Sequence, residues 1–206
     1  MADNTPRATA DESDGSTSVI SHADWAGCRT IADLAELNVR FCESRAPESR
    51  SPGHFGPLNA ESDLIREDLI RLNRRGWLTT NSQPTIETDT PGHQRSYLCA
   101  FIPTEDLERL MPGVVGRFNY TIADAGTGEV IYRVWDGVVD TFGNPQWPNG
   151  TCAHWGNETA DEAFGWVPND LVAHIETHYR AVSFSELGTG SPRELWDFLL
   201  AAADAD

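Results

Sequence analysis

AESDLIREDLIRLNRRGWLTTNSQP, residues 60–84, joins a helix with clear start and stop signals to an extended, hydroxyl-rich run that a proline ends. Ser62 has the side chain of an N-cap, able to accept from the unpaired N–H groups of a first turn. On a helical wheel Leu64, Leu72, Ile65 and Leu69 fall within about 140° of one another, an apolar stripe able to face a core. Gly76 stands where a left-handed residue ends a helix, just after Arg74 and Arg75, whose charge suits the C-terminal dipole. Thr79, Thr80, Asn81, Ser82 and Gln83 then set five polar side chains in a row.

Working outward, the flanking segments point to an α+β fold with mixed or antiparallel sheets and flanking helices. Upstream, Thr30 to Arg45 reads as a helix capped by Thr30, with Ile31, Leu34, Leu37 and Phe41 at helical spacing. Ala46 to Leu58 is a Pro/Gly/Ser connector. Downstream, Arg95 to Ile102 is strand-like and apolar on both faces, the pattern of a central strand. Thr104 to Met111 makes a short helix with Thr104 as cap. Arg117 to Ala123 and Glu129 to Trp135 flank the turn Asp124–Gly128, a hairpin signal. Gly137 to Phe142 and Thr151 to Gly156 read as short strands, with a loop over Gly143 to Gly150 between them. Asn157 to Gly165 is acidic, a loop or a single helical turn. Pro168 to Tyr179 is helical and Ala181 to Phe184 a short strand. The last helix begins on the capping box Ser191-Pro192-Arg193-Glu194.

At 206 residues the chain is long enough for one good-sized domain. Residues 1–21 are rich in Ala, Asp, Ser and Thr and are expected to form a disordered tail, leaving one domain over 22–206. A formal charge of −17 argues against nucleic acid or an anionic membrane as partner. Arg71, Arg74 and Arg75 form a small basic group that reads as a solvated helix end. The 15 basic residues are all arginine, which excludes a P-loop and Schiff-base chemistry, since both need a lysine. Cys28, Cys42, Cys99 and Cys152 contain no CxxC pair, so neither a disulfide framework nor a zinc knuckle is expected. The N-terminus lacks the apolar core of a signal peptide, and no run of 18 apolar residues occurs, so a cytoplasmic protein is expected.

Catalytic motifs are absent. His174 and His178 lie four apart, with His154 as a third candidate ligand, but HIETH lacks the glutamate spacing of HExxH, and no metal is expected. There is no GxSxG elbow, and Gly126-Thr-Gly128 is turn chemistry. The acid pairs Glu105-Asp106 and Asp161-Glu162 read as solvated. In the 60–84 segment a helix N-terminus suits an anionic group, Glu61 a cation, and Thr79 and Ser82 offer hydroxyls. A zwitterionic amino-acid group beside a positive centre matches that lining. Taken on residue types alone, Ser62 as a mere cap and NSQP as a mere turn is the commoner outcome.

The segment resembles the C-terminal regulatory domain of eukaryotic methylenetetrahydrofolate reductase, which binds S-adenosylmethionine or S-adenosylhomocysteine. That family carries AET-S-LL-EELL-VNR-GILTINSQP where this chain has AESDLIREDLIRLNRRGWLTTNSQP. HQRSYLCAF (93–101) is similar to the family's FQKAYLEFF, RFNY (117–120) to its RVNY, and VSF (182–184) with the following ELW helix to its DPVSF and ALW. The likeness runs from about Pro57 to Leu200. It implies that the ligand-binding Glu-Thr pair falls on Glu61 and Ser62, the threonine and serine of LTINS on Thr79 and Ser82, and a further threonine on Thr177. Another family threonine falls on His154, a departure, beside Trp155.

The reductase's catalytic part is a flavin-binding barrel of about 250 residues, for which nothing before residue 57 leaves room. The resemblance therefore implies a standalone domain that binds S-adenosylmethionine or S-adenosylhomocysteine as sensor, sequestering protein or regulatory subunit, with no flavin. A homodimer or a regulated enzyme is its expected partner. Two other readings use the same pocket: an enzyme acting on S-adenosylmethionine, as methyltransferase or lyase, and a protein-interaction module with a vestigial pocket.

Overall fold

A computed structural model describes residues 18–52, 54–85, 95–134, 138–139, 145–146, 158–187 and 193–205. Of the tail expected over 1–21, residues 1–17 lie outside this set. Residues 18–21 do not behave as a tail. Ile20 is buried, its N–H donates to Ser49 Oγ at 3.1 Å and its carbonyl accepts from the Arg50 N–H at 2.9 Å. A single large apolar side chain after a polar run is enough to anchor the chain there. Ser21 then leads into α1 (His22–Gly27), which buries Trp25.

Helix α2 (Ile31–Glu43) starts as its sequence predicts. Thr30 Oγ1 accepts from the Asp33 N–H, and the Asp33 carboxylate accepts from the Thr30 N–H. The connector that follows is not wholly irregular, since β1 (Arg50–Ser51) and β2 (His54–Phe55) pair within it.

The start of the 60–84 segment differs from its sequence signal. A 3-10 helix occupies Ala60–Ile65, and α3 begins only at Arg66, running to Arg74. Ser62 therefore lies inside the 3-10 turn, buried, and caps nothing. Leu64 leaves the apolar stripe and is 69% exposed, while Ile65, Leu69 and Leu72 are buried. A 3-10 turn advances about 120° per residue, so a wheel drawn at 100° misplaces residues ahead of α3. The helix end is as expected. Gly76 has φ +91°, the Gly76 N–H donates to the Asn73 carbonyl at 2.8 Å and the Trp77 N–H to the Leu72 carbonyl at 3.1 Å. These are the paired bonds of a Schellman motif, with Trp77 and Leu72 buried in one cluster beside it.

The chain then forms β3 (Leu78–Gln83), β4 (Tyr97–Pro103), α4 (Thr104–Val114), β5 (Phe118–Asp124) and β6 (Val130–Val134). The short strands β7 (Val138–Val139) and β8 (Pro145–Gln146) pair with each other. Helices α5 (Ala160–Phe164) and α6 (Asn169–His178), strand β9 (Tyr179–Glu186) and α7 (Glu194–Asp204) complete it. The main sheet has five strands in the order β3-β4-β9-β5-β6, and every pairing in it is antiparallel. The fold is α+β, with no closed barrel among the described residues. Strands β4 and β5 run the same way with β9 between them, so β4-α4-β5 is a split β-α-β unit.

The expected central strand is β4, nearly all of it buried, and β9 is longer than its sequence signal and central as well. The hairpin at 124–128 forms, with Asp124 Oδ1 accepting from the N–H groups of Gly126 and Thr127. Thr104 does not cap α4. It is the first helical residue, and its hydroxyl donates to the His178 carbonyl at 3.0 Å. Of the other expected features, most of Gly137–Gly150, Thr151–Gly156 and the Ser191-Pro192 start of the last capping box lie outside the described residues.

Two apolar clusters cover the two sheet faces. One joins Leu98, Ala100, Ile102, Val182 and Phe184 to α3, α4 and α7. The other joins Leu78, Phe101 and Ala181 to α1, α5 and α6. Helix α2 contributes Val39 and Cys42 to the first and Leu34, Leu37 and Phe41 to the second. It thus lies along the free side of the edge strand β3, wedged between the two layers.

Candidate functional site at the β3 edge

The site grows out of β3. Thr79 pairs with Ala100, but the next paired residue, Asn81, meets Cys99, leaving Thr80 as the extra residue of a β-bulge. In strict alternation, residues 79 and 82 would point to opposite faces. The bulge cancels one step, so Thr79 opposite Ala100 and Ser82 opposite Leu98 share a face, while Asn81 and Gln83 share the other.

Thr79 is held by Asn73, from the last turn of α3. Asn73 Nδ2 donates to Thr79 Oγ1 at 2.8 Å, and the Thr79 N–H donates to Asn73 Oδ1 at 3.1 Å. Asn73 Nδ2 also donates to the Leu69 carbonyl, and Asn38 Nδ2 of α2 donates to Asn73 Oδ1 at 3.1 Å. Each polar atom of this buried amide is used. Thr79 Oγ1 accepts from Asn73, so its own proton remains available.

Along this edge lies a cleft of about 140 Å3. Its polar wall is Thr79, Thr80, Asn81 and Ser82, with Asn38 of α2. Its apolar wall includes Phe41, Leu58 and Phe164. Cys42 also faces it, but burial pushes this thiol up to about 12, so it is no nucleophile at neutral pH. Among the described lining residues the charged one is Glu158, just ahead of α5 and exposed at the rim of the cleft. Its carboxyl pKa is raised, first by desolvation and then by Glu162, against a hydrogen bond from Thr80.

The residues singled out in the sequence are distributed unevenly around this cleft. Thr79 and Ser82 line it. Glu61 and Ser62 lie in the 3-10 helix that packs against β3, outside the lining. Glu61 is exposed and its charge adds to the burial that raises the Tyr97 phenol, whose O–H donates to Asn81 Oδ1 at 3.1 Å. Ser62 is buried, and its N–H donates to the Asn59 carbonyl. Thr177 is separate. It is exposed on α6, its hydroxyl donates to the Ala173 carbonyl at 2.8 Å, and it lines another cleft of about 530 Å3 with Thr104, His174 and Arg180. His154 and Trp155 lie outside the described residues. Glu158 has no signal in the sequence, where it is one acid in an acidic run, and its place in the lining follows from tertiary packing.

The remaining charged features are structural. Arg71 pairs with Asp204, Arg74 with Glu43 at 3.7 Å and Arg75 with Asp106 at 3.5 Å; Arg71 and Arg74 are exposed, so the helix end is solvated as expected and carries surface ion pairs as well. Asp106 is itself buried rather than solvated, because it accepts from Trp77 Nε1 at 2.9 Å. Glu162 accepts from Thr159 and starts α5. The rings of His174 and His178 lie 4.4 Å apart, and no group of three or more metal-ligating side chains occurs among the described residues. Nor is any helix there long and apolar enough to cross a membrane.

Known proteins similar to part of this chain include three reductases. Methylenetetrahydrofolate reductase 1 of Schizosaccharomyces pombe is 33% identical over 69 residues, which is 34% of this chain and 11% of that protein. Methylenetetrahydrofolate reductase (NADH) 1 of Zea mays and the probable methylenetetrahydrofolate reductase (NADH) of Oryza sativa subsp. japonica are each 29% identical over 102 residues, 43% of this chain and 17% of theirs. The chain spans less than a fifth of the length of these curated relatives. Residues 21–163, more than half of the chain, match the family described as "Domain of unknown function (DUF6919)". The chain belongs to that family.

Proposed function

We propose that this chain is a ligand-binding domain for S-adenosylmethionine or S-adenosylhomocysteine, acting as a sensor, a sequestering protein or a regulatory subunit. The observation that carries the proposal is that Thr79 and Ser82, which the bulge at Thr80 sets on one face, both line the cleft at the β3 edge. These are the two residues identical to the ligand-binding threonine and serine of the resembled reductase domain. The partial likeness to three eukaryotic reductases supports the same reading. Thr79 has a proton to donate to a carboxylate or hydroxyl, and Asn81 and Ser82 extend that polar wall. Ligand control of a partner then requires that the ligand bind two states of the assembly unequally.

Isothermal titration of the purified protein with S-adenosylmethionine and with S-adenosylhomocysteine tests the proposal. Micromolar binding of either supports it, and no binding of either below millimolar concentration rejects it. Mass spectrometry of S-adenosylmethionine after incubation separates a binder from a methyltransferase or lyase, since a binder returns the ligand unchanged.

The cleft volume favours a second reading. At about 140 Å3 it is smaller than the roughly 300–1,000 Å3 of most small-molecule sites. That size suits a protein-interaction module whose pocket no longer takes a ligand, and absence of heat with both ligands is the result this reading expects.

A further inference from the structure

The residue types of the 60–84 segment match a ligand's cation to Glu61, but Glu61 is exposed and stands outside the cleft lining. The cleft carries instead a pair of amides whose hydrogen-bond polarity is set by the backbone. The Leu69 carbonyl can only accept and the Thr79 N–H can only donate. One orientation of the Asn73 side chain satisfies both, with Nδ2 toward Leu69 at 2.9 Å and Oδ1 toward the Thr79 N–H at 3.1 Å. Asn38 also meets Oδ1, at 3.1 Å, and must therefore turn its Nδ2 to Asn73. Two side-chain atoms at the cleft are fixed in consequence.

One is Thr79 Oγ1, which accepts from Asn73 Nδ2 at 2.8 Å. Its own proton has no acceptor among the described residues. The other is Asn38 Oδ1. Nothing among the described residues donates to it, although Asn38 lines the cleft and is only 6% exposed. An acceptor buried this far without a partner carries a desolvation cost, which a donor entering the cleft removes. The free donor and the free acceptor are tied to the two ends of one amide, Thr79 to Asn73 Nδ2 and Asn38 to Asn73 Oδ1. They stand close together and match a ligand that carries an acceptor and a donor side by side, as an amino-acid zwitterion does. The apolar wall of Phe41, Leu58 and Phe164 suits a ring rather than a charge.

We infer that Asn38 is a ligand-binding residue, its Oδ1 accepting from the α-ammonium of the ligand's amino-acid part while Thr79 donates to the adjoining carboxylate. The inference rests on the proposed S-adenosyl reading and deepens it. The amino-acid end lies between α2 and β3, the adenine lies against the apolar wall, and the contact to the ligand's nitrogen passes from Glu61 to Asn38.

Isothermal titration of wild type and Asn38→Ala with S-adenosylhomocysteine and with its deaminated analogue, which has hydrogen in place of the ammonium, tests this. In wild type, loss of the ammonium should weaken binding on the order of tenfold, the effect of a hydrogen bond to a charged group. Asn38→Ala should weaken S-adenosylhomocysteine by a similar factor and leave the analogue's affinity unchanged, a pattern that a general loss of structure does not produce. Asn38→Leu, closer to asparagine in size, repeats the comparison without leaving a cavity. Wild type that binds both ligands equally overturns the assignment before any variant is made. Variants that weaken both ligands alike, or neither, overturn it as well. Each of these results leaves the S-adenosyl proposal standing, whereas wild type that binds neither S-adenosylmethionine nor S-adenosylhomocysteine rejects both.

Discussion

Thr79 and Ser82 share one face of the main sheet although they are three steps apart in sequence, because the Thr80 bulge absorbs one step of the alternation. Deleting Thr80 leaves Thr79 and Ser82 two residues apart in a regular strand, still opposite Ala100 and Leu98 and still on one face. The deletion should therefore retain most of the affinity for the S-adenosyl ligands. Inserting an alanine between Asn81 and Ser82 adds a step that the bulge does not absorb and turns Ser82 to the opposite face, and it should lower affinity on the order of tenfold or more, through lost polar contacts. Isothermal titration compares the two, and equal affinity in both variants would show that the shared face is not used.

Asn73 ties α2, α3 and β3 into one unit. Its side chain is fully buried and makes four hydrogen bonds, two to Thr79 and one each to Asn38 and the Leu69 carbonyl. Asn73→Ala strands several of these partners without water. It should cost about 2–4 kcal/mol of stability, read as a lower urea midpoint at unchanged slope. A cost under about 0.5 kcal/mol, the level of an ordinary surface substitution, would show that the network does not hold.

At Gly76 the backbone alone sets the requirement. Its φ is +91°, and an added Cβ meets no atom within 4 Å. Gly76→Ala should therefore destabilise by about 1 kcal/mol through left-handed strain, with no steric clash to add to it. Thermal melting checks it. A much larger loss would mean that the Schellman turn rearranges, releasing Trp77 from its cluster.

The elements legible in the sequence are those with local causes. Thr30 and Asp33 form a reciprocal cap, Gly76 ends α3, Asp124–Gly128 turns the hairpin, and the unbroken apolar run of β4 marks a central strand. What was not legible depends on partners distant in sequence. The bulge at Thr80 exists only in the register against Cys99 and Ala100. The edge position of β3, which opens the cleft, follows from β9 pairing between β4 and β5. The outward position of Thr177 follows from its placement on the exposed side of α6. Leu64 was misplaced because residue types did not reveal the 3-10 turn around it.

Glu186, at the end of β9, gives the protein a pH-dependent weakness. It is buried; its Oε2 accepts from Thr85 Oγ1 at 2.8 Å and from the Ser96 N–H, and its Oε1 has no hydrogen-bond partner among the described residues. Desolvation raises its pKa above the ordinary 4.5, against the hydrogen bonds from Thr85 and Ser96. The folded state therefore holds the Glu186 proton more tightly than the unfolded chain does. Its favourable contribution is complete below the unfolded value and is lost as pH rises through the folded one, leaving a buried charge at neutral pH. Glu186→Gln presents an oxygen to Thr85 and Ser96 without that charge. The variant should melt above wild type at neutral pH, with the gap closing as pH falls through the unfolded value. Melting curves across that range test it, and a gap independent of pH would mean that the gain comes from packing rather than from the removed charge.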